Sequence, residues 1–556
     1  MESVKRVFFS QKFILGSALL ILFGLCVYPF AILFYTVLFP KEEFSLEFLS
    51  AVLSHKSALR ALKNTVLTSF AIATLSGIIA IPLAWLVTRT NLPWASRFRS
   101  WFCLPYAIPP YIGAIAWIYL ANPTTGYINQ IFGEGFVNIY SYGGLIWVQT
   151  TFLYTFILLA ALSALDKMDP SLEEAARLSG AGPFRVFKDI TLPLIQPALW
   201  SGGLLVGLAS AASFGVPALI GSPARIFLMT TQIYTFQKMG SMSGIFKAGA
   251  LSILLLLVAL ALLLLSQKIT SKKRYQIVSG KTARPSLIDL GPWKLPSVSV
   301  LFVLLFILFL MPLGSIILTS LSEVQGSFGS LGFANYHRVL FEMSETGRAL
   351  WNSFSLGILS ATAATALAIL LAYMGQKTKI PGRAWLDILA SLPYSIPGTV
   401  VALALILAFS AGFFGIGPSL YNTLAMLWLA YMVKYLSLAM KTIGDGYGQI
   451  DDSLAEAARV AGASWAESLK SIWLPLMKPS IVAAWFLIFM PAFSELTMTI
   501  LLAGPGTETL GTLIFQLQEY ADASGGGSAV LAVIVVLSVL ITNTLVKIFS
   551  KGKYGL

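Results

Sequence analysis

Few residues in this 556-residue chain could do chemistry, and their spacing narrows the chemistry further. The only histidines, His55 and His337, fall in segments that read as external loops and lack ligand spacing, so they read as solvated residues. Cys26 and Cys103 lie in or beside apolar runs, which excludes a disulfide framework or a thiolate metal site. There is no Gly-x-x-x-x-Gly-Lys-Ser/Thr phosphate loop, so the chain cannot hydrolyse ATP by that route. No paired acid and base stands out either, and no catalytic residue is assigned. What is left is a carboxylate and an ammonium in apolar surroundings, Glu495 and Lys434, each costly there and functional by default. Glu495 follows Pro491; facing a wet interior it would attract a cation or a hard metal that prefers oxygen ligands. The plainer readings are an internal hydrogen bond or pairing with Lys434, and one glutamate alone makes no fixed metal site.

A second set of polar residues occurs twice. Leu172-Glu173-Glu174-Ala175-Ala176-Arg177-Leu178-Ser179-Gly180-Ala181 runs on to Leu192-Pro193-Leu194 and Pro197. Leu454-Ala455-Glu456-Ala457-Ala458-Arg459-Val460-Ala461-Gly462-Ala463 runs on to Leu474-Pro475-Leu476 and Pro479. The glutamates, glycines and prolines recur 282 residues apart, the mark of a long internal repeat. The repeat reaches further at an offset of 288: Asn64 matches Asn352, and Leu104-Pro105-Tyr106-Ala107-Ile108-Pro109 matches Leu392-Pro393-Tyr394-Ser395-Ile396-Pro397.

The elements that carry these residues are apolar. The chain is 57% hydrophobic and 11% charged, against about 25% charged in ordinary soluble domains, and its mean hydropathy is +0.81. Hydropathy gives about twelve crossings, hence an all-α polytopic membrane protein. They fall near 13–39, 61–88, 100–121, 143–165, 197–220 and 244–266, then 297–321, 349–374, 385–411, 421–443, 480–502 and 527–549. The apolar run at 13–39 is too long for a signal core and reads as a retained helix. The basic stretch 267–296 divides the chain into halves 1–266 and 297–556 and reads as a cytoplasmic linker.

With both termini cytoplasmic, roughly 27 of the 37 Lys and Arg residues lie on the cytoplasmic side, the positive-inside bias. The net charge of +13 is thereby topological, and nucleic-acid binding is the weaker reading. An even number of crossings separates the repeated loops at 169–197 and 451–479, so both face the cytoplasm and the halves are parallel repeats.

Each loop reads as two short helices joined at glycine. Ser453 with Glu456, and Ser171 with Glu174, fit capping boxes, although Asp169 before Pro170 is a competing start. Ser464 with Glu467 fits another, and Gly180 and Gly462 sit where a helix end needs left-handed backbone. Leu-Pro then closes the segment before the next crossing. Capping alone would account for Glu174 and Glu456, but it does not explain why the whole unit appears twice on one face. The paired prolines Pro105, Pro109, Pro393 and Pro397 read either as packing kinks or as bends around a central pathway.

The loop pattern resembles the EAA loop of binding-protein-dependent ABC importer permeases. Glu174-Ala175-Ala176, Gly180, Phe187, Ile190 and Leu192-Pro193 match it, as do Glu456-Ala457-Ala458, Gly462, Leu469, Ile472 and Leu474-Pro475. The resemblance covers essentially the whole chain and implies a fused permease of type I architecture, with two parallel six-helix halves. It implies that these loops seat two copies of a cytoplasmic ABC ATPase, which carry the ATP and Mg; no cofactor is expected on this chain. It further implies a periplasmic or lipid-anchored substrate-binding protein as partner, and the bacterial cytoplasmic (inner) membrane as location. Ser213-Phe214-Gly215-Val216-Pro217, Phe493-Ser494-Glu495-Leu496 and Gly504-Pro505-Gly506 resemble ferric-iron importer permeases most, with thiamine, polyamine and aminoethylphosphonate permeases closely similar.

The pathway candidates are Glu495, Lys434 and the four prolines. A gradient-driven twelve-helix transporter is the competing class. It would need no repeated docking loop and would carry more buried ionisable residues.

Overall fold

The computed structural model describes residues 15–40, 42–272, 287–329, 331–378, 380–412, 415–519 and 525–549. The first two residues of the expected first crossing, the basic residues at 273–286 and the expected cytoplasmic tail at 550–556 lie outside them.

Among the described residues the fold is helical, with no strand beyond two isolated bridges, Thr90 to Ile288 and Ser322 to Leu331. The first half contains α1 (Leu15–Leu38), α2 (Lys56–Arg89), the pair α3 (Ala95–Ala107) and α4 (Pro110–Ala121), then α5 (Tyr142–Lys167). It continues with the short α6 (Ser171–Leu178), α7 (Pro183–Ala212), α8 (Met229–Lys238) and α9 (Met242–Lys272). The second half repeats the order. It contains α10 (Gly291–Leu321), α11 (Ser344–Lys377), the pair α12 (Ala384–Ser395) and α13 (Gly398–Phe409), then α14 (Leu424–Gly448). After these come α15 (Ser453–Val460), α16 (Leu469–Phe493), α17 (Thr499–Leu502), α18 (Leu510–Glu519) and α19 (Gly526–Phe549).

Ten of these helices are long and apolar enough to cross a membrane, and twelve spans result when each bent pair counts as one. The two pairs bend by 99° and 107°. A residue before proline is pushed out of the helical region, and Ile108, Pro109 and Ile396 all take extended ψ angles of 127–140° ahead of Pro109, Pro110 and Pro397. The crossings expected at 100–121 and 385–411, with kinks or bends at their paired prolines, are therefore broken helices.

The crossings at 197–220 and 480–502 need a larger correction. α7 and α16 start about a dozen residues earlier and end at Ala212 and Phe493, so Glu495 lies beyond its helix. Leu-Pro does not close a separate segment here. A wide π-turn at Phe187–Thr191 and another at Leu469–Trp473 end two residues before Pro193 and Pro475. Phe23–Val27 before Pro29 and Phe306–Leu310 before Pro312 follow the same rule. A proline ring clashes with the carbonyl four residues back; widening the turn moves that carbonyl aside and lets the helix run through. The expected linker also shrinks, since α9 extends to Lys272 and α10 begins at Gly291.

In each half the same three helices form the packed core: α2, α5 and α7 contact one another, as do α11, α14 and α16. The first span of each half crosses over. The Tyr28–Leu38 part of α1 packs on α13, and the Met311–Leu321 part of α10 packs on α4, so each half supports the broken helix of the other.

Candidate functional site

The repeated loops have one geometry. Asp169 and Asp451 accept the amides of Ser171 and Ser453 at 2.9 and 2.8 Å, starting α6 and α15. The competing start at Asp169 is thus realised, and Asp451 does the same work in the second half. The box at Ser464 and Glu467 does form, with bonds of 2.7 and 3.3 Å in the two directions. Gly180 and Gly462 have φ of +87° and +85°, and Ala181 and Ala463 donate back to Ala176 and Ala458 in the glycine-ended closure expected of such helices.

Among the residues that α6 and α15 present outward are matched apolar ones. Leu178 and Val460, at matching positions, are each 90% exposed, with Leu172 and Leu454 about half exposed. Ala175 and Ala457 are exposed and Ala176 and Ala458 are half-buried, which keeps the face flat.

Bonding to their amides holds the Asp169 and Asp451 carboxyls below the usual carboxylate range. Their capping is therefore complete above the unfolded pKa of about 3.9 and is lost as pH falls through the lower folded value. Amide exchange of α6 and α15, corrected for intrinsic rate, should accelerate at strongly acidic pH. Asp169→Asn and Asp451→Asn should abolish that acceleration; an unchanged profile would show that these carboxylates do not hold the helix starts.

A tether between loop and membrane helices went unnoticed in the sequence. The last turn of α2 brings Arg89 within 2.8 Å of Glu173, both buried, and Arg89 also donates to the carbonyl of Leu165 at 2.8 Å. Thr191, at the end of the π-turn in α7, donates to the same Glu173 carboxylate at 2.5 Å. One carboxylate thus joins α2, α6 and α7. The second half uses different residues for the same connection: Lys377 ends α11 and bonds Asp452 at 2.5 Å and the Ile450 carbonyl at 2.9 Å. Arg89 and Lys377 are 288 residues apart, so the repeat offset could have flagged them.

The paired breaks are also held asymmetrically. Lys434 donates to the carbonyls of Pro393 (2.9 Å), Tyr394 (3.3 Å) and Ile396 at the end of α12. These acceptors are exposed by the break, and a cation at a helix C-terminus is favourable by about 0.3–2 kcal/mol. Lys434 therefore serves the bend, and no ion pair joins it to Glu495 among the described residues. Glu495 caps α17 instead. Its carboxylate accepts Met498 N at 2.9 Å, Thr499 N at 2.9 Å and the Thr499 hydroxyl at 2.5 Å.

Two cavities flank the breaks. The first, about 340 Å³, is lined by Pro105, Gln149, Phe156, Ser213 and Phe214 among others. The second, about 510 Å³, is lined by Pro109, Tyr394, Tyr435, Ser494 and Glu495 among others. Tyr106, Tyr111, Leu496 and Thr497 border both. Pro393 and Pro397 form the second bend without being among the residues that line either cavity.

Between the cavities Gly215 abuts Tyr111 and Leu496; a Cβ there would lie 2.5 Å from Tyr111 Cβ and 3.3 Å from the Leu496 side chain. Outside the cavities, Asn64 and Asn352 do matching work. They donate to the carbonyls of Phe227 and Glu508, in the loops leading into α8 and α18. His55 bonds Ser57 and His337 bonds Glu342, and no cluster of three or more His, Cys, Asp or Glu residues forms among the described residues.

Comparison with known proteins agrees with this layout. The family described as a binding-protein-dependent transport system inner membrane component matches residues 77–271 and again 364–553. A ferric transport system permease protein of Actinobacillus pleuropneumoniae is 26% identical over 545 residues, covering 95% of this chain and 77% of that one. A putative ferric transport system permease protein of Haemophilus influenzae is 27% identical over 515 residues, covering 90% and 80%. Among solved structures, a bacterial ABC transporter that imports alginate matches 46% of this chain and 96% of its own at 21% identity and a TM-score of 0.39. With the family match present in both halves, the chain belongs to the inner membrane components of binding-protein-dependent transport systems, as a fused permease of two halves.

Proposed function

We propose that this chain forms the translocation pathway of an ATP-driven importer of ferric iron. Iron arrives on a periplasmic or lipid-anchored binding protein, and two copies of a separate cytoplasmic ABC ATPase supply the energy with their own ATP and Mg. α6 and α15 sit in the ATPases, contributing Glu174, Ala175, Ala176 and Gly180 from one half and Glu456, Ala457, Ala458 and Gly462 from the other. The observation that carries this reading is the matched exposure of Leu178 and Val460: two apolar side chains left bare on polar loops, at equivalent places in a parallel repeat. The chain lies in the bacterial cytoplasmic membrane with both termini cytoplasmic, the orientation that gives these loops access to the ATPases.

The iron assignment is supported by relatives named as ferric permeases that align over nearly the whole chain. The aminoethylphosphonate alternative is supported by a putative permease of Salmonella paratyphi A, 28% identical but aligned to only 45% of this chain. In the pathway, Glu495, Pro105 and Pro109 border the cavities, while Lys434, Pro393 and Pro397 hold the second bend open.

Purified with its ATPase, the chain is expected to form a complex of one permease with two ATPase subunits. In proteoliposomes it should take up iron from the loaded binding protein only when ATP is present. Iron uptake that continues without any ATPase would sink the proposal; uptake of aminoethylphosphonate and not iron would sink its substrate.

A further inference from the structure

The two cavities are repeat mates. At offsets of 281–288, Tyr106, Leu153, Phe156, Ser213 and Phe214 of the first correspond to Tyr394, Tyr435, Leu438, Ser494 and Glu495 of the second. Gly215 and Leu496 correspond as well, and they touch each other. Contact between equivalent residues of a two-fold repeat occurs at its axis, so the cavities lie on either side of that axis.

Their chemistry has diverged. Where the second cavity has the Glu495 carboxylate and the Tyr435 phenol, the first has the rings and chains of Phe214 and Leu153. The polar group peculiar to the first cavity is Gln149, a neutral amide that is buried and makes no hydrogen bond. Hard multivalent cations select carboxylate and hydroxyl oxygens over amide nitrogen and hydrocarbon. Although Glu495 caps α17, its Oε1 accepts only the Met498 amide, leaving lone-pair capacity toward the cavity it borders. Tyr435 makes no hydrogen bond to another described residue, and Tyr394 is 40% exposed at the break.

We infer that the second-half cavity alone is a transit subsite for a hard multivalent cation, held by the Glu495 carboxylate with the Tyr435 and Tyr394 hydroxyls. The inference rests on the pathway assignment proposed above. One carboxylate with neutral hydroxyls suits transit, because a conducting site must bind well enough to admit an ion and weakly enough to release it. The first half supplies the opposing wall, from Tyr106 to Tyr111.

The test uses the full permease in nanodiscs of zwitterionic lipid, titrated with Tb³⁺ alone and read by emission sensitised through nearby aromatic rings. The unaltered protein should give a saturable signal, and Glu495→Gln should move its midpoint up by about tenfold or more, the loss of one charged ligand. Tyr435→Phe, which removes a hydroxyl with no described partner, should move the midpoint up too; the midpoint is read because the lost phenol is itself a sensitiser. Size-exclusion behaviour and the thermal unfolding midpoint report whether each variant is folded; if Glu495→Gln is not, Tyr435→Phe decides alone. Identical titrations for unaltered protein and Tyr435→Phe, or no saturable signal at all, would overturn the subsite. Iron uptake by the unaltered complex is measured separately. Uptake without a Glu495-dependent titration removes the subsite and leaves the ferric importer; the reverse result leaves the subsite and removes iron as the solute.

Discussion

Gly180→Val together with Gly462→Val is expected to abolish iron uptake and to disconnect ATP hydrolysis from the binding protein, while the permease still folds and inserts. Both glycines hold φ near +86°, and a Cβ at either would meet nothing within 4 Å. Space is therefore not the obstacle; backbone conformation is. A β-branched residue in the left-handed region costs about 1–3 kcal/mol, which the chain can relieve by rotating to an extended or right-handed conformation. That rotation breaks the bonds from Ala181 to Ala176 and from Ala463 to Ala458 and swings α6 and α15 away from the helices that follow. Two such losses, if they add, reduce the competent population by roughly 100-fold. Gly180→Asn with Gly462→Asn is the control, since asparagine tolerates this region, and it should keep most of the activity. Uptake and stimulated hydrolysis by the valine protein equal to those of the asparagine protein would rule out the transmission role.

The second large effect concerns Glu173. Removing it leaves the Arg89 guanidinium buried without its carboxylate, at a cost of about 3–5 kcal/mol, and also frees Thr191 in the π-turn of α7. Glu173→Ala should therefore lower the thermal unfolding midpoint and the yield of folded protein sharply. Arg89→Met combined with Glu173→Leu should recover much of the loss, because the pair is then replaced by hydrocarbon instead of being broken. In the second half Lys377 is 11% exposed but Asp452 is 71% exposed, and Lys377 keeps the Ile450 carbonyl when Asp452 is removed, so Asp452→Ala should lower the midpoint less than Glu173→Ala does. Equal midpoints for Glu173→Ala and Asp452→Ala would contradict the asymmetry. If it holds, the first repeated loop is rigidly joined to its membrane helices and the second more loosely.

The repeated pattern Glu-Ala-Ala-x-x-x-Gly, the twelve apolar runs and the sign of the loops could be read directly from the residues. Each is a local property: hydropathy over about 20 residues decides a span, and glycine at a fixed offset decides a helix end. Proline was legible as a disturbance but not as an outcome. Pro109 and Pro397 break their spans, whereas Pro193 and Pro475 follow a π-turn in a helix that runs on. Glu495 was visible as a costly charge, yet its place beyond α16 depends on where that helix stops, and hydropathy runs past the stop.

The sequence by itself determined that this is a two-half, twelve-span membrane protein with matched polar loops on one face, because apolar length and repeat offset need no partner to be read. Tertiary structure alone decided which polar groups meet. Arg89 and Glu173 are distant in sequence and lie on different helices; Lys434 finds carbonyls freed by a bend in another span; Gly215 and Leu496 meet only where the halves close on their axis. Such pairings depend on how long helices cross, and many crossings are compatible with the same apolar pattern.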